Sequence, residues 1–269
     1  MSQSLFNGCN RLLELPDMSG SPHSTHGWLF NCELVRSIPD SWCDLNFYSA
    51  NVDTSPNSPK MVSTFGNCYS LRSIPEGFLK KLYNSSTSTN SNSGMFNNCY
   101  ALDEIVGFRG SNSSPSSNLL NHFYNLNHLK RFVFDMENGM PRVQNWGGQT
   151  VDLSQNTGYS SSPANFIGYN SGITADKEVK DDATYQALKN DADWFTADVA
   201  YSRYNHDSAV ETINSLPDCS AYIASSGKSM NTIKFTGASG ANTDGGAINT
   251  LTEEEIGVAT AKGWTVSLV

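Results

Sequence analysis

The residues best suited to chemistry in this sequence are six cysteines, at positions 9, 32, 43, 68, 99 and 219. A structural zinc site needs ligand pairs at short spacings such as Cys-x-x-Cys, and no such pair is present in the sequence. His23 and His26 form His-x-x-His in "GSPHSTHGW", but no carboxylate lies close by in the sequence to complete a metal site. We therefore predict that the chain has no metal site and no cofactor.

Catalytic motifs are also missing from the sequence. It contains neither Gly-x-Ser-x-Gly nor His-Glu-x-x-His, and the glycine-rich "GASGANTDGGA" at 237–247 lacks the Gly-Lys-Ser/Thr ending of a phosphate loop. Asp135 and Glu137, and the run "TEEE", have no distinctive catalytic context. We predict a protein that is not an enzyme. A glycan-processing enzyme would need a carboxylate pair facing one cleft, which the sequence alone does not place.

Four of the cysteines occupy the same slot of a repeated phrase, which reads Phe-x-x-Cys-x-x-Leu-x-x-Ile-Pro. The cysteine slot holds Cys9, Cys32, Cys68 and Cys99, and in a fifth copy it holds Leu126. The steps between these positions are 23, 36, 31 and 27 residues (9 to 32, 32 to 68, 68 to 99, 99 to 126). Periods of this length are typical of solenoids, in which each unit is too small to bury its own apolar face. A degenerate sixth copy, "SAVETINSLPD", keeps apolar residues at 210, 213 and 216 and a proline at 217.

The spacing also predicts local structure. Apolar residues three apart favour a tight helical or 3₁₀ turn that faces inward, and the following Leu-x-x-Ile enters a short strand. Equivalent residues of stacked units would then lie about 4.8 Å apart and form columns. We expect the slot cysteines to be a buried column of small apolar thiols, and the state of Cys43 and Cys219 is left open.

The repeated phrase resembles the BspA-like class of cysteine-containing leucine-rich repeats, over roughly residues 1–135. That class is found in bacterial surface proteins, in adhesins and in phage tail-associated proteins. The tail, "YSRYNHDSAVETINSLPD … LTEEEIGVATAKGWTV", resembles the endings of repeat proteins encoded by phages and by gut bacteria related to Bacteroides. The resemblance implies an α/β repeat protein: a leucine-rich-repeat solenoid with short parallel strands.

The second half is less regular, and we divide the chain into repeats at 1–135, irregular repeats or an insertion at 136–200, and a degenerate repeat with a C-terminal cap at 201–269. A helix is predicted from about Asp176 to Asn190. "NTIKFTG" at 231–237 and the final "WTVSLV" read as strands. Between them Thr252 and Glu255 form a capping box and Gly263 marks a helix end. These features predict a strand-helix-strand cap.

Charge and hydropathy limit the partners. The net charge of −9 argues against nucleic acid and against an anionic membrane surface. No apolar run approaches the ~20 residues of a membrane span, and the N-terminus does not read as a secretory signal. We expect either release by another route, such as lysis, or a sequence that lacks its true start. No cap precedes the first repeat in the sequence. We therefore expect preceding sequence, a partner chain or another virion protein to cover the apolar edge of this repeat.

The candidate binding residues are those that differ between copies. The residue before each isoleucine slot should point outward, which selects Ser37, Ser73, Glu104 and Arg131. Tyr69, Tyr100 and Tyr124 accompany loops rich in Ser and Asn, residue types that build adaptable recognition surfaces. Tyr69 and Tyr100 have an alternative interpretation, in which they only shield the next turn.

We predict a binding protein of a phage tail fibre or tail tip, or a bacterial surface adhesin, located in the virion, outside the cell or on its surface. Its partner would be a host cell-surface protein or glycan, and other virion or surface proteins and a homo-oligomer are also expected partners. The alternative is a structural assembly or decoration protein of a virion that docks through the uncapped edge of the repeats.

Overall fold

The computed structural model describes residues 4–22, 27–45, 64–79, 95–99, 101–108, 126, 129–135, 146–154, 205–235 and 251–269. Its strands are β1 (Glu104–Phe108), β2 (Arg131–Phe134), β3 (Thr150–Asp152), β4 (Asn231–Phe235) and β5 (Trp264–Leu268). Its α-helices include α1 (His206–Ser215), α2 (Ser220–Ser226) and α3 (Glu253–Ala261), residues 76–79 are also helical, and a 3₁₀ helix covers Asp40–Asp44. The predicted helix at 176–190 lies outside the described residues.

Each repeated phrase begins with a tight turn. The cysteine N–H donates to the carbonyl of the residue three before it, at 3.0 Å for Cys32, 3.1 Å for Cys68 and 3.1 Å for Cys99. The residue just before the cysteine has a left-handed φ, +61° at both Asn67 and Asn98. A positive φ at the third residue is typical of a type II turn, where glycine and asparagine are favoured. The helical or 3₁₀ geometry predicted for this turn is therefore wrong, although the predicted three-residue closure is present.

Successive turns stack through backbone hydrogen bonds. The N–H groups of Phe6, Leu29 and Phe65 donate to the carbonyls of Trp28, Thr64 and Met95 of the next copy, at 2.9, 3.0 and 3.0 Å. A further ladder joins the left-handed residues: the Asn67 amide donates to Asn31 Oδ1 and the Asn98 amide donates to Asn67 Oδ1, each at 2.7 Å. The sequence shows these asparagines in the cysteine-containing phrases, but their role is visible only in the stack.

The cysteine slot contributes a second set of bonds between copies. The thiols of Cys32, Cys68 and Cys99 donate to the carbonyls of Phe6, Leu29 and Phe65 in the preceding copy, at 2.9, 3.0 and 3.1 Å. All three thiols are buried, as expected, whereas Cys9 of the first copy is exposed. Burial raises the pKa of the Cys32 thiol to about 12 and holds the pKa of Cys68 and Cys99 well above the ordinary range. These thiols are structural hydrogen-bond donors, because a nucleophile needs the thiolate.

Short parallel strand segments follow the turns. Ser37 and Ser73 form an isolated parallel bridge, and β1 pairs with β2 in parallel with Glu104 opposite Arg131. Aromatic side chains fill the interior beneath the segments. Phe65 stacks on Phe96 with ring centroids 5.8 Å apart. Phe134 reaches Trp264 at 6.1 Å, so the interior continues towards the C-terminal strands.

The C-terminal part contains a three-stranded parallel sheet in the order β3-β4-β5. The strand, helix and strand predicted there are present as β4, α3 and β5. Helix α3 has the predicted capping box: the side chain of Thr252 accepts from the N–H of Glu255, and the N–H of Thr252 donates to the Glu255 carboxylate. Gly263 follows the helix end with φ +82°. Strand β3 lies within the segment predicted to be irregular and pairs with β4.

The degenerate sixth copy does not form a turn and strand. Residues His206–Ser215 form helix α1, which begins with the Asn205 side chain accepting from the N–H of Ser208 at 2.9 Å. Ala209 and Ile213 are buried, four residues apart on one face of the helix. The apolar spacing of three that suggested a repeat therefore belongs to a helix here.

Candidate binding face

The predicted outward residues lie side by side on neighbouring copies. Ser37 and Ser73 are exposed and bridged to each other, and Glu104 and Arg131 are half-buried partners of β1 and β2. The N–H of Asp103 donates to the carbonyl of Arg72 at 3.0 Å, which places the fourth copy next to the third. We call the column of Ser37, Ser73, Glu104 and Arg131 the outer column. The structure brings all four predicted strand residues together.

The predicted tyrosines have a different outcome. Tyr69 is buried, with 3% of its surface exposed, and its carbonyl accepts from the N–H of Ala101 at 3.2 Å. A ring with so little exposed surface offers a ligand almost no contact area, so the packing interpretation fits Tyr69 better. Tyr100 and Tyr124 lie outside the described residues, and their assignment stays a prediction.

A charged cluster forms one end of the outer column. The Arg131 guanidinium donates to both carboxylate oxygens of Glu211, from Nε at 2.8 Å and from Nη2 at 2.6 Å, and from Nη1 to Glu104 Oε2 at 3.3 Å. The hydrogen bonds with Glu211 raise the pKa of Arg131, and those with Arg131 lower the pKa of Glu211. Beside these residues, Lys130 Nζ lies 3.5 Å from Asp103 Oδ1. The two carboxylates of Glu211 and Glu104 fix the guanidinium in one orientation and more than balance its positive charge.

Glu211 belongs to α1, which covers the open edge of β2. The Thr212 hydroxyl donates to the Phe132 carbonyl at 2.6 Å, and the N–H of Phe134 donates to Ser215 Oγ at 3.1 Å. These two backbone groups are on the side of β2 that faces away from β1. Side-chain hydroxyls of a helix thus satisfy the edge that a sixth strand would otherwise pair, and a covered edge is protected against pairing with other chains.

Sequence reasoning missed this contribution of α1. Eighty residues separate Arg131 from Glu211, so no local pattern joins them. The available signal was the helix itself: Asn205 is a good N-cap, and Ala209, Ile213 and Leu216 have helical spacing. Had α1 been predicted, Glu211 would have been a candidate ion-pair partner for a basic side chain on the strand face.

The described residues include no group of three or more His, Cys, Asp or Glu side chains that could hold a metal ion. None of the six cysteines forms a disulfide, and burial raises the pKa of the Cys219 thiol to about 11. In the part of the chain that the structure describes, no helix has the length and apolar character needed to cross a membrane. His23, His26 and the glycine-rich segment at 237–247 lie outside the described residues.

Comparison of the chain with protein-family models, with curated proteins and with solved structures finds no match. The residues and their geometry are therefore what points to a function. That geometry presents hydroxyls, a carboxylate and an oriented guanidinium in one column, which is a surface able to donate and accept several hydrogen bonds at once.

Proposed function

We propose that the chain is a leucine-rich-repeat binding protein that recognises a ligand on a host-cell surface, as a phage tail-fibre or tail-tip component or as a bacterial surface adhesin. The protein or glycan ligand would contact the outer column and the loops beside it. One observation carries the proposal. The residues that face inward repeat from copy to copy. The outer column differs between copies: it is Ser in the second and third copies, Glu in the fourth and Arg in the fifth.

The physical basis of this proposal is preorganisation. The bridge between Ser37 and Ser73 and the pairing of Glu104 with Arg131 fix the spacing within each pair. Arg131 is also held by three hydrogen bonds from its guanidinium. A ligand that binds such a surface pays little of the entropy cost of ordering side chains. Variation on a fixed scaffold is also the means by which repeat proteins build extended binding surfaces.

Binding to whole host cells, to envelope fractions and to a glycan array tests the proposal. Ser73→Lys places a long side chain in the middle of the outer column, at an exposed position where the fold tolerates it, and we expect it to abolish binding without changing the melting temperature. Ser226→Lys, exposed on α2, is the matched control and should bind as the unmodified protein does. Absence of binding to every cell and envelope fraction, together with tight binding to an internal virion protein, would contradict the proposal.

A structural assembly or decoration role in a virion is the alternative proposal. It is supported by the exposed leucines of the first copy, Leu5 at 43% and Leu13 at 41%. A defined oligomer in size-exclusion chromatography with light scattering, lost in Leu5→Glu but kept in Leu268→Glu, would favour assembly. A monomer would favour the adhesin. Leu268 is an apt control because its exposure of 40% is almost the same.

A further inference from the structure

His206, the first residue of α1, contacts two carboxylates at once. Its Nδ1 lies 3.2 Å from Asp207 Oδ1 and its Nε2 lies 3.3 Å from Glu255 Oε2 on α3. A neutral imidazole has one N–H and one lone pair, so it can donate to only one of the two oxygens. The imidazolium has two N–H groups and donates to both. The geometry is therefore complete only when the ring carries both protons.

The Glu255 carboxylate stays in place whether or not His206 is charged. Its Oε2 also accepts from the N–H of Thr252 at 2.7 Å and from the Thr252 hydroxyl at 3.0 Å. These bonds, that of the backbone first, lower the pKa of Glu255. The carboxylate thus remains ionised near neutral pH, and a neutral His206 would turn the lone pair of one ring nitrogen towards a negatively charged oxygen or lose one contact.

The other charged groups packed against α1 lie elsewhere on the helix. Glu211 is paired with Arg131 of β2, and the Lys262 ammonium at the end of α3 donates to the Asn214 carbonyl at 2.7 Å. Among the described residues, Asp207 of α1 and Glu255 of α3 are the charged groups in contact with the imidazole. The strength of the contact between α1 and α3 therefore depends on whether the imidazole of His206 is protonated.

We propose that His206 is a pH-dependent clasp, which fastens the N-terminal end of α1 to α3 and so holds α1 over the open edge of β2. The pKa of His206 is raised, first by its hydrogen bond with Asp207 and then by Glu255. A raised pKa means that protonation favours the folded contact. The contribution to stability is full below the ordinary pKa of about 6.5 and is lost as the pH rises through the higher pKa of the folded protein.

A double-mutant cycle tests the clasp. His206→Gln removes the charge, and Glu255→Gln removes the opposite charge while keeping a residue that completes a capping box. Urea unfolding of the full chain and its three variants, at pH 5.5 and pH 8.5, gives the coupling between the two positions. We expect a coupling of about two- to threefold in the unfolding equilibrium constant at pH 5.5, as for an exposed ion pair, and a clearly smaller coupling at pH 8.5, where the neutral ring can donate to only one carboxylate. Equal coupling at both pH values would overturn the proposal.

Two further measurements separate the clasp from a merely structural contact. The pKa of His206, measured by NMR titration, should fall in Glu255→Gln. The amide of Phe134, which donates to Ser215 of α1, reports whether α1 covers β2. Its protection against hydrogen exchange, corrected for the intrinsic rate at each pH, should decrease about two- to threefold from pH 5.5 to 8.5 in the unmodified chain. The clasp would be refuted if the pKa of His206 were unchanged in Glu255→Gln, or if the protection of the Phe134 amide did not depend on pH.

Discussion

Replacement of Asn67 separates the two contributions of the asparagine ladder. Asn67 is the middle member of the ladder. Its side-chain Nδ2 donates to Asn31 Oδ1, and its side-chain Oδ1 accepts from Asn98 Nδ2. It also has a left-handed φ of +61°. Asn67→Gly removes both side-chain hydrogen bonds but accommodates the backbone, whereas Asn67→Ala removes the bonds and places a Cβ in a conformation that L-residues avoid. We expect the stability order Asn67, then glycine, then alanine.

The magnitudes follow from the two terms. Two half-buried hydrogen bonds contribute about 0.5–1 kcal/mol each, so their loss costs about 1–2 kcal/mol in either variant. Left-handed backbone costs alanine about 1–2 kcal/mol more. Glycine loses about 0.4–1 kcal/mol through the greater freedom of its unfolded chain, so the two variants should differ by about 1 kcal/mol. The free energy of unfolding should therefore fall by about 2 kcal/mol in Asn67→Gly and by about 3 kcal/mol in Asn67→Ala.

Urea unfolding at pH 7, followed by circular dichroism and tryptophan fluorescence, measures these differences, and the slope with urea should stay constant. Asn214→Ala is the matched control, because Asn214 is exposed on α1, a helix in which alanine is favoured. If Asn67→Gly loses no more than the roughly 0.4–1 kcal/mol that its freer unfolded chain costs, the ladder contributes nothing. If Asn67→Ala is more stable than Asn67→Gly by about that amount, the left-handed backbone carries no cost and the turn geometry is wrong.

Other perturbations test the remaining features. Gly8 has φ +76° and open space around its Cβ position, so Gly8→Asn should add a rung to the ladder and raise the free energy of unfolding by about 0.5–1 kcal/mol in the same assay; a loss of stability would contradict the ladder. Gly263→Ala should cost about 1–2 kcal/mol, because alanine is strained at the left-handed φ of +82°, and Ile223 Cδ1, which lies 2.8 Å from the added Cβ, must move aside. Gly257→Ala, in open space within α3, should instead stabilise by about 0.5–1 kcal/mol. At pH 8 a thiol reagent should modify Cys9 quickly and Cys68 only after unfolding; equal rates would refute the buried column.

The sequence predicted the parts of the fold that local patterns determine. Thr252, Glu255 and Gly263 mark both ends of α3 because capping depends on residues within one turn of the helix. The outer column was predictable because side chains alternate across a strand. The membership of the leucine-rich-repeat class and the solenoid remain proposals that these local agreements support.

The sequence did not predict what depends on distant residues or on ambiguous spacing. Apolar residues three apart fit both the repeat turn and one face of a helix, which is why α1 was interpreted as a sixth copy. The ladder of Asn31, Asn67 and Asn98 depends on stacking across copies 31 and 36 residues apart. The pairing of Glu211 with Arg131 depends on where α1 docks, and no pattern within either segment contains that information.

The bonds between copies also determine how the protein would respond to force. Turn carbonyls, thiols and asparagine amides all join one copy to the next, so a pull along the stack would load the successive interfaces between copies in series. Contacts loaded in series yield one after another, and the chain would lengthen in steps. The 31 residues between Cys68 and Cys99 would release about 100 Å when their copy opens. Under a sudden tension, one copy of such a protein would unfold and extend while the remaining copies stay folded.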